Sequence, residues 1–329
     1  MTLTQIRQRR VQTNGIQLHI AEAGEGPLVL LCHGFPESWY SWRHQLPALA
    51  AAGYHAVAPD MRGYGRSDAP AEIDRYTIFH LVGDMMGLAD ALGAREFAIV
   101  GHDWGSIVAW TAALLRPDRV RGVVGVSVPF FPRGPVPPTQ MFKAVAGSSF
   151  MYILYFQEPG KAERELEADA RRTMRMLLYS ASGSLPRDTP RVALPKTARF
   201  LDAMVEPPKL PGWLGEADLD FYAGEFARTG FRGGLNWYRN FDRNWELLAP
   251  FADAKVTVPA AFIGGLRDFV VTGPEGNGPG PMVQMLPSFC TDFRGSVLLP
   301  DAGHWTQQED PAGTNKALLE FLGALRLAK

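Results

Sequence analysis

The chain has 329 residues, of which 46% are hydrophobic, a size and composition that predict about two domains around a substantial core. With a formal net charge of -1, nothing points to nucleic acid or an anionic membrane as a partner, and two cysteines exclude a disulfide framework. Residues 1–13 lack the apolar segment of a signal peptide and no apolar run approaches the ~18 residues that span a bilayer, so we expect a cytoplasmic globular enzyme.

The first part of the chain alternates strand and helix signals. Short apolar runs alternate with longer segments of helical periodicity, which predicts βαβ units and a mostly parallel sheet flanked by helices. In chain order the predicted elements are a hairpin strand at 16–22 after the Asn14-Gly15 turn, strands at 28–32 and 55–59, a helix at 76–92, a strand at 97–100, a helix that Pro117 stops, and a strand at 120–126.

The pattern changes at Pro129, after which no convincing strand occurs until Pro250. Strand signals then resume at 259–264 and 296–299, before a closing amphipathic helix at 311–327. A helical insert between two halves of one sheet predicts a cap over an active site, with the core at 1–131 and 251–329 and the cap at 132–250. A Gly/Pro-rich loop at 273–281 is expected near the site mouth. The predicted cap helices are 141–156, 161–179, 219–229 and 234–241.

The segment Gly101-His102-Asp103-Trp104-Gly105 lies between a predicted buried strand and a predicted apolar helix. Glycines two residues before and after a polar residue are typical of the nucleophile elbow of α/β-hydrolases, where the turn is too crowded for Cβ atoms. Most such elbows carry serine, whereas Asp103 is a carboxylate with no proton to lose. It can attack an alkyl carbon directly and form an ester, so this residue predicts alkyl transfer and makes an esterase the least favoured function.

Two further residues complete a candidate triad. Asp268 and His304 each follow a late predicted strand, in the chain order nucleophile, acid, histidine of α/β-hydrolases. All three residues lie beyond the carboxyl ends of strands, where open α/β sheets bind ligands. Taken singly, Asp268 could equally be a turn residue and His304 a packed histidine. Together with the elbow they predict a catalytic triad, whereas His102 is expected to point away from the reacting side.

The oxyanion hole is predicted from two backbone amides. In this fold the loop after an early buried strand donates one N–H and the residue after the nucleophile donates the other. We therefore assign the amides of Phe35, in the turn after strand 28–32, and Trp104. The predicted substrate pocket is lined by Phe35, Pro36, Trp104 and Phe269.

The chain resembles the soluble-type epoxide hydrolases of the α/β-hydrolase fold over about residues 11–325. The elbow motif is shared with haloalkane dehalogenases, whereas two cap segments distinguish the epoxide hydrolases, YILYFQEPG at 152–160 and GLNWYRN at 234–240. The resemblance implies that Tyr152 and Tyr238 face Asp103. It also implies an apolar epoxide as the small-molecule substrate, a vicinal diol as product and no metal or organic cofactor. A homodimer is left open.

The chemistry of ring opening agrees with two cap tyrosines. An opening epoxide leaves an alkoxide, and a phenol with a pKa near ~10 stays protonated and can donate to it. Such help is worth about 10²–10⁴ in rate. A haloalkane dehalogenase, the nearest alternative, would have no use for paired phenols. A non-catalytic ligand-binding member of the fold is the second alternative, although its usual mark is a broken triad.

Overall fold

The computed structural model describes residues 6–189, 193–273, 276 and 278–327, and its centre is one sheet of eight strands. The order across the sheet is β1-β2-β4-β3-β5-β6-β7-β8. Pairing is parallel from β4 to β8 and antiparallel between β1, β2 and β4, so the predicted mostly parallel sheet is confirmed. The strands are β1 (Arg7–Thr13), β2 (Ile16–Ala23), β3 (Leu28–Cys32), β4 (His55–Pro59), β5 (Phe97–His102), β6 (Val120–Val126), β7 (Ala260–Gly265) and β8 (Phe293–Leu299).

Helices cover both faces of this sheet, which explains why β3 and β5 are buried along their whole length. Successive side chains of a strand point to opposite faces. Ile99 accordingly joins the core on one side of β5, while Ala98 and Val100 join the core on the other. The α-helices that precede the break in the strand pattern are α1 (Gln45–Ala51), α2 (Ile78–Ala91) and α3 (Trp104–Leu115), with short 3₁₀ helices at Trp39–Trp42 and Ile73–Tyr76.

Between β6 and β7 the described residues form helices and their connections, with isolated strand-like bridges only at Ser149, which pairs with Pro195, and at Val256, which pairs with Cys290 beyond β7. The α-helices of this segment are α4 (Pro138–Ala146), α5 (Tyr152–Tyr155), α6 (Lys161–Leu166), α7 (Ala170–Ser180), α8 (Glu216–Thr229), α9 (Arg232–Arg239) and α10 (Phe241–Leu247), with 3₁₀ helices at Leu201–Ala203 and Ala249–Phe251. The helical content agrees with the prediction. The boundaries at 131/132 and 250/251 stay predictions.

The four predicted helices in this segment differ in extent from those of the structure, the helix at 219–229 only in that α8 begins three residues earlier, at Glu216. The helix expected at 141–156 is α4 and α5, because Gly147 follows α4 with φ 55° and ends it. The helix expected at 161–179 is α6 and α7, because the side chain of Asp169 accepts a hydrogen bond from the backbone N–H of Arg172 at 2.9 Å and starts a new helix. The helix expected at 234–241 spans the end of α9 and the first residue of α10.

After β7, the described residues form three short helices that lead to β8, the last strand of the sheet, and then one short and one longer helix. The loop expected at 273–281 lies partly outside the described residues, and Pro281 already begins a helix. The closing helix ends at Gly323, four residues before the predicted end. Within the described ranges, none of the helices has both the length and the apolar character needed to cross a membrane. The remaining helices are α11 (Phe269–Thr272), α12 (Pro281–Gln284), α13 (Leu286–Phe289), α14 (Thr306–Glu309) and α15 (Pro311–Gly323).

Candidate active site

Asp103 lies in a strained turn between β5 and α3. Its backbone has φ 52° and ψ -121°, a conformation that residues other than glycine rarely adopt. Such strained residues occur most often at functional sites. The turn excludes neighbouring side chains: a Cβ on Gly101 would lie 1.9 Å from the carbonyl oxygen of Gly105, and a Cβ on Gly105 would lie 2.1 Å from that of Cys32. The two glycines that predicted the elbow are therefore required by this geometry.

The imidazole of His304 lies between two carboxylates. Its Nδ1 is 2.9 Å from Oδ2 of Asp268, and its Nε2 is 3.4 Å from Oδ2 of Asp103. The second distance is longer than an ordinary N–H···O hydrogen bond of about 2.7–3.2 Å. Asp268 is itself held by the backbone N–H of Val270, which donates to Oδ1 at 2.9 Å. The structure thus brings together the three residues that the sequence predicted as a triad.

The charges of this group favour an ion pair. Burial disfavours a charged imidazole, but the adjacent Asp268 and Asp103 outweigh it and raise the pKa of His304 well above its usual value. Burial also opposes ionisation of Asp103, whereas the interaction with His304 dominates and lowers the pKa of that carboxyl below its usual value. The two directions agree, because each favours the charged form of its group, the carboxylate of Asp103 and the imidazolium of His304.

The backbone amide of Phe35 donates a hydrogen bond to Oδ1 of Asp103 at 2.8 Å. Trp104 is the first residue of α3, so its N–H has no acceptor within that helix. The rings of Phe35 and Trp104 are buried, and their centroids lie 5.5 and 5.1 Å from that of Tyr238. Pro36, which follows a cis peptide bond, is also buried. Phe269 differs, because it is 51% exposed at the start of α11.

Tyr152, on α5, and Tyr238, on α9, come together with ring centroids 6.1 Å apart. Phe156 contacts both rings, at 5.6 and 5.1 Å. Desolvation raises the pKa of both phenols, and the negative charge of Asp103 raises it further, so both hydroxyls stay protonated at neutral pH. The two residues differ in access: Tyr152 is 38% exposed and Tyr238 only 5%. Part of Tyr152 therefore borders solvent, although the surrounding protein desolvates its hydroxyl.

His102 points away from the reacting side, into a buried network that the sequence analysis missed. Its Nδ1 lies 2.7 Å from Oε2 of Glu37, and its Nε2 lies 2.7 Å from the backbone oxygen of His304. Burial opposes the charge of Glu37, but His102 outweighs it and lowers the pKa of this carboxyl. Oε1 of Glu37 also accepts hydrogen bonds from the side-chain amides of Gln307 and Gln308. The only sign of this network in the sequence was an acidic residue, Glu37, directly after the turn whose Phe35 amide was assigned to the oxyanion hole.

Ser127, which directly follows β6, contacts the loop at 300–305 that joins β8 to α14 and carries His304, called the histidine loop below. Its hydroxyl donates to the backbone oxygen of His304 at 2.8 Å and lies 2.8 Å from the hydroxyl of Thr306. β6 carries no carboxylate at this end, and the acid within hydrogen-bond distance of Nδ1 of His304 is Asp268. Among the described residues, no group of three or more His, Cys, Asp or Glu side chains is placed to hold a metal ion.

Comparison with known proteins gives consistent matches along the chain. A family model for the alpha/beta hydrolase fold matches residues 27–311. Epoxide hydrolase A of Mycobacterium tuberculosis is 50% identical over 327 residues, which cover 97% of this chain and 98% of that protein. Epoxide hydrolase 3 of Siraitia grosvenorii is 42% identical over 328 residues, which cover 97% and 99%.

Solved structures agree with these sequence matches. The crystal structure of epoxide hydrolase A from Mycobacterium thermoresistibile is 50% identical and superposes with a TM-score of 0.91, covering 98% of this chain and 99% of that one. An epoxide hydrolase from an endophytic Streptomyces is 44% identical with a TM-score of 0.92, covering 97% and 96%. The similarity therefore extends over the sheet and over the helical segment between β6 and β7.

Proposed function

The chain belongs to the epoxide hydrolases of the α/β-hydrolase fold, and from that premise we propose that it opens its substrate through a covalent ester on Asp103. The predicted fold, family and enzyme class are thereby confirmed, while the roles of individual residues are our proposal. The proposal depends mainly on the position of Asp103, whose carboxylate lies between His304 and the backbone amide of Phe35. The charge of the same carboxylate raises the pKa of both phenols, those of Tyr152 and Tyr238.

In the first step, the oxygen of Asp103 that the Phe35 amide does not hold attacks one epoxide carbon. The new bond joins that carbon to the carboxylate, and the electron pair of the broken C–O bond goes to the ring oxygen. Tyr152 and Tyr238 donate hydrogen bonds to that oxygen, and a phenol proton moves to it and is regained from solvent. The product is a hydroxyalkyl ester of Asp103, which divides one difficult reaction into two easier ones.

In the second step, His304 removes a proton from water while Asp268 orients the ring, and the resulting hydroxide attacks the ester carbonyl. The amides of Phe35 and Trp104 stabilise the oxyanion of the tetrahedral intermediate. When the tetrahedral intermediate collapses, the bond between the carbonyl carbon and the alkyl oxygen breaks, and the departing alkoxide takes the proton held by His304 to give the vicinal diol. The carboxyl group of Asp103 then releases one proton to solvent, which balances the proton taken up in the first step. Neither step requires a metal or an organic cofactor.

Esterification also prepares His304 for this second role. In the free enzyme two carboxylates raise the pKa of the imidazole, which favours its protonated form. An ester carries no charge, so the first step removes the contribution of Asp103. The pKa of His304 therefore falls once the ester has formed, and the neutral imidazole needed for base catalysis becomes accessible.

The pairing of the two phenols favours epoxides over the alternative substrates considered above. A halide ion is a weak base and needs only weak donors, whereas an alkoxide is a strong base and benefits from phenols. The apolar rings of Phe35, Trp104 and Phe156 around the tyrosines support an apolar epoxide. A pocket role for Phe269, a helical cap at 132–250, a homodimer and a cytoplasmic location remain predictions.

The test is to trap the proposed intermediate. His304→Gln keeps a polar side chain but removes the base, so we expect the ester to form and persist. Intact-mass spectrometry after mixing with a styrene-type or terminal alkyl epoxide should show one added substrate, and peptide mapping should assign it to Asp103. Asp103→Asn is the control and should show no adduct. An inactive, folded His304→Gln enzyme without an adduct would contradict the proposal.

A further inference from the structure

We propose that Glu309 is a positioning residue for His304, tying the histidine loop to the end of helix α7. This inference rests on the proposed function, because it assigns Glu309 to the step in which His304 activates water. Loss of the Glu309 carboxylate is expected to slow hydrolysis of the Asp103 ester more than its formation.

Glu309 binds the backbone on both sides of the catalytic histidine. It is the last residue of α14, and its side chain folds back along the loop that precedes that helix. Oε2 accepts a hydrogen bond from the N–H of Gly303 at 3.0 Å, and Oε1 accepts one from the N–H of Trp305 at 3.1 Å. These are the two residues adjacent to His304 in the chain. One carboxylate therefore restrains the backbone immediately before and after the imidazole.

The same carboxylate reaches the helical segment. Oε2 also accepts hydrogen bonds from the N–H of Gly183 at 2.7 Å and the hydroxyl of Ser182 at 3.0 Å, just after α7. Beside them, the backbone N–H of His304 donates to the carbonyl oxygen of Ala181 at 2.9 Å. Glu309 therefore joins the histidine loop to the end of α7 by accepting hydrogen bonds from both.

The two backbone segments that Glu309 joins pass so closely that no side chain fits between them. A Cβ on Gly183 would lie 2.1 Å from the carbonyl oxygen of Asp301, and a Cβ on Gly303 would lie 2.1 Å from the nitrogen of Gly183. Backbones at this distance leave N–H groups that only an inserted acceptor can satisfy. The carboxylate of Glu309 supplies that acceptor.

The electrostatics also indicate a specific role for this carboxylate. Burial is the largest influence on Glu309 and raises the pKa of its carboxyl, although its hydrogen-bond donors partly offset the effect. Across the part of the chain that the structure describes, Glu309 forms no ion pair. A partly buried carboxylate without a cation is an unfavourable way to hold a surface loop, because desolvation of its charge is not offset by an opposite charge. Its four donors all belong to the histidine loop or to the segment after α7, which assigns it to their junction.

The two steps of the proposed mechanism depend on this junction to different extents. Ester formation uses Asp103, Tyr152 and Tyr238, none of which is hydrogen-bonded to Glu309. Ester hydrolysis needs the imidazole of His304 aligned with water and with the ester carbonyl. A displacement of His304 by a fraction of an ångström should therefore be felt mainly in the second step.

The experiment compares Glu309→Ala and Glu309→Gln in single turnovers with excess enzyme, following ester formation and decay by quenched-flow intact-mass spectrometry. We expect formation within about threefold of wild type and decay slowed by about tenfold to a hundredfold in Glu309→Ala, so that the ester accumulates. Glu309→Gln keeps one carbonyl acceptor but places an amide N–H against a backbone donor. Its decay rate should lie between those of wild type and Glu309→Ala, a partial rescue that mere loss of stability would not produce.

The control is Asp310→Ala. Asp310 is the neighbouring carboxylate and caps α15 by accepting a hydrogen bond from the N–H of Gly313 at 2.8 Å. This variant should lose thermal stability while both steps keep their wild-type rates. Equal slowing of both steps in Glu309→Gln, or wild-type decay in that variant, would overturn the inference. If Glu309→Ala does not fold, Glu309→Gln carries the test. If the ester accumulates in His304→Gln but in neither Glu309 variant, the role of Glu309 is refuted and the proposed mechanism stands. If the ester does not accumulate in His304→Gln, the proposed mechanism itself is refuted.

Discussion

Gly34 is the position where the smallest change should most directly displace the nucleophile. It precedes Phe35, whose amide binds Asp103, and its own α-carbon faces the Asp103 side chain. A Cβ added at Gly34 would lie 2.4 Å from both Cβ and Oδ1 of Asp103, whereas ordinary contacts begin at 3.4 Å. Gly34→Ala must therefore separate the loop from the carboxylate by about 1 Å.

The expected loss follows from that displacement. A misplacement of about 1 Å at a reacting group costs about 100-fold in rate, which corresponds to about 2.7 kcal/mol of transition-state stabilisation. The loss should be seen in kcat/KM, because attack by Asp103 and the Phe35 hydrogen bond are both disturbed. We expect ester formation, measured in a single turnover, to slow by the same factor.

The matched control is Gly224→Ala. Gly224 is an exposed residue of α8, and a Cβ there would meet nothing within 4 Å. This substitution should leave kcat/KM unchanged and raise the free energy of unfolding by about 0.5–1 kcal/mol, because alanine favours helix over glycine. A Gly34→Ala enzyme that folds and keeps kcat/KM within about twofold of wild type would refute the reasoning.

Three further predictions concern the ring-oxygen donors, the core and the titration of the base. Tyr238→Phe removes one proposed donor and should slow ester formation by a factor of about 10²–10⁴. The control is Tyr155→Phe, which should not slow it, because the hydroxyl of Tyr155 binds Glu165 at 2.7 Å. Equal effects of the two substitutions would count against the assignment. Asp84→Ala removes the two hydrogen bonds, at 2.6 and 2.7 Å, that buried Arg62 donates to this carboxylate. It should lower the free energy of unfolding in urea by about 3–5 kcal/mol, and a loss below about 1 kcal/mol would contradict this. Ester decay should accelerate as pH rises through the pKa of His304 in the ester, because only the neutral imidazole accepts a proton. This pKa lies below that of His304 in the free enzyme, where the charge of Asp103 raises it. Decay that slows with rising pH would contradict the proposed base.

The positions of the triad could be predicted because each depends on local sequence. A strand end can be recognised from a short apolar run, and the carboxyl ends of parallel strands meet at one edge of the sheet. Asp103, Asp268 and His304 each follow such a run, so their convergence required only the sheet order. The two elbow glycines added a steric requirement that the structure explains directly.

The groups that hold the triad could not be predicted in the same way. Glu37 bonds to Gln308, 271 residues later in the chain, and Glu309 bonds to Gly183, 126 residues earlier. No periodicity or spacing rule indicates partners that far apart. The helix breaks at Gly147 and Asp169 were also missed, because apolar periodicity continues past a residue whose backbone or cap ends the helix.

The central claim, that Asp103 becomes covalently attached to the substrate, is tested most directly by one turnover in ¹⁸O-labelled water with enzyme in excess. Ester hydrolysis at the carbonyl carbon leaves the solvent oxygen on the enzyme. We therefore predict that the first diol is unlabelled and that mass spectrometry finds the label in the peptide containing Asp103. Label in the first diol, with an unlabelled Asp103 peptide, would contradict the covalent mechanism.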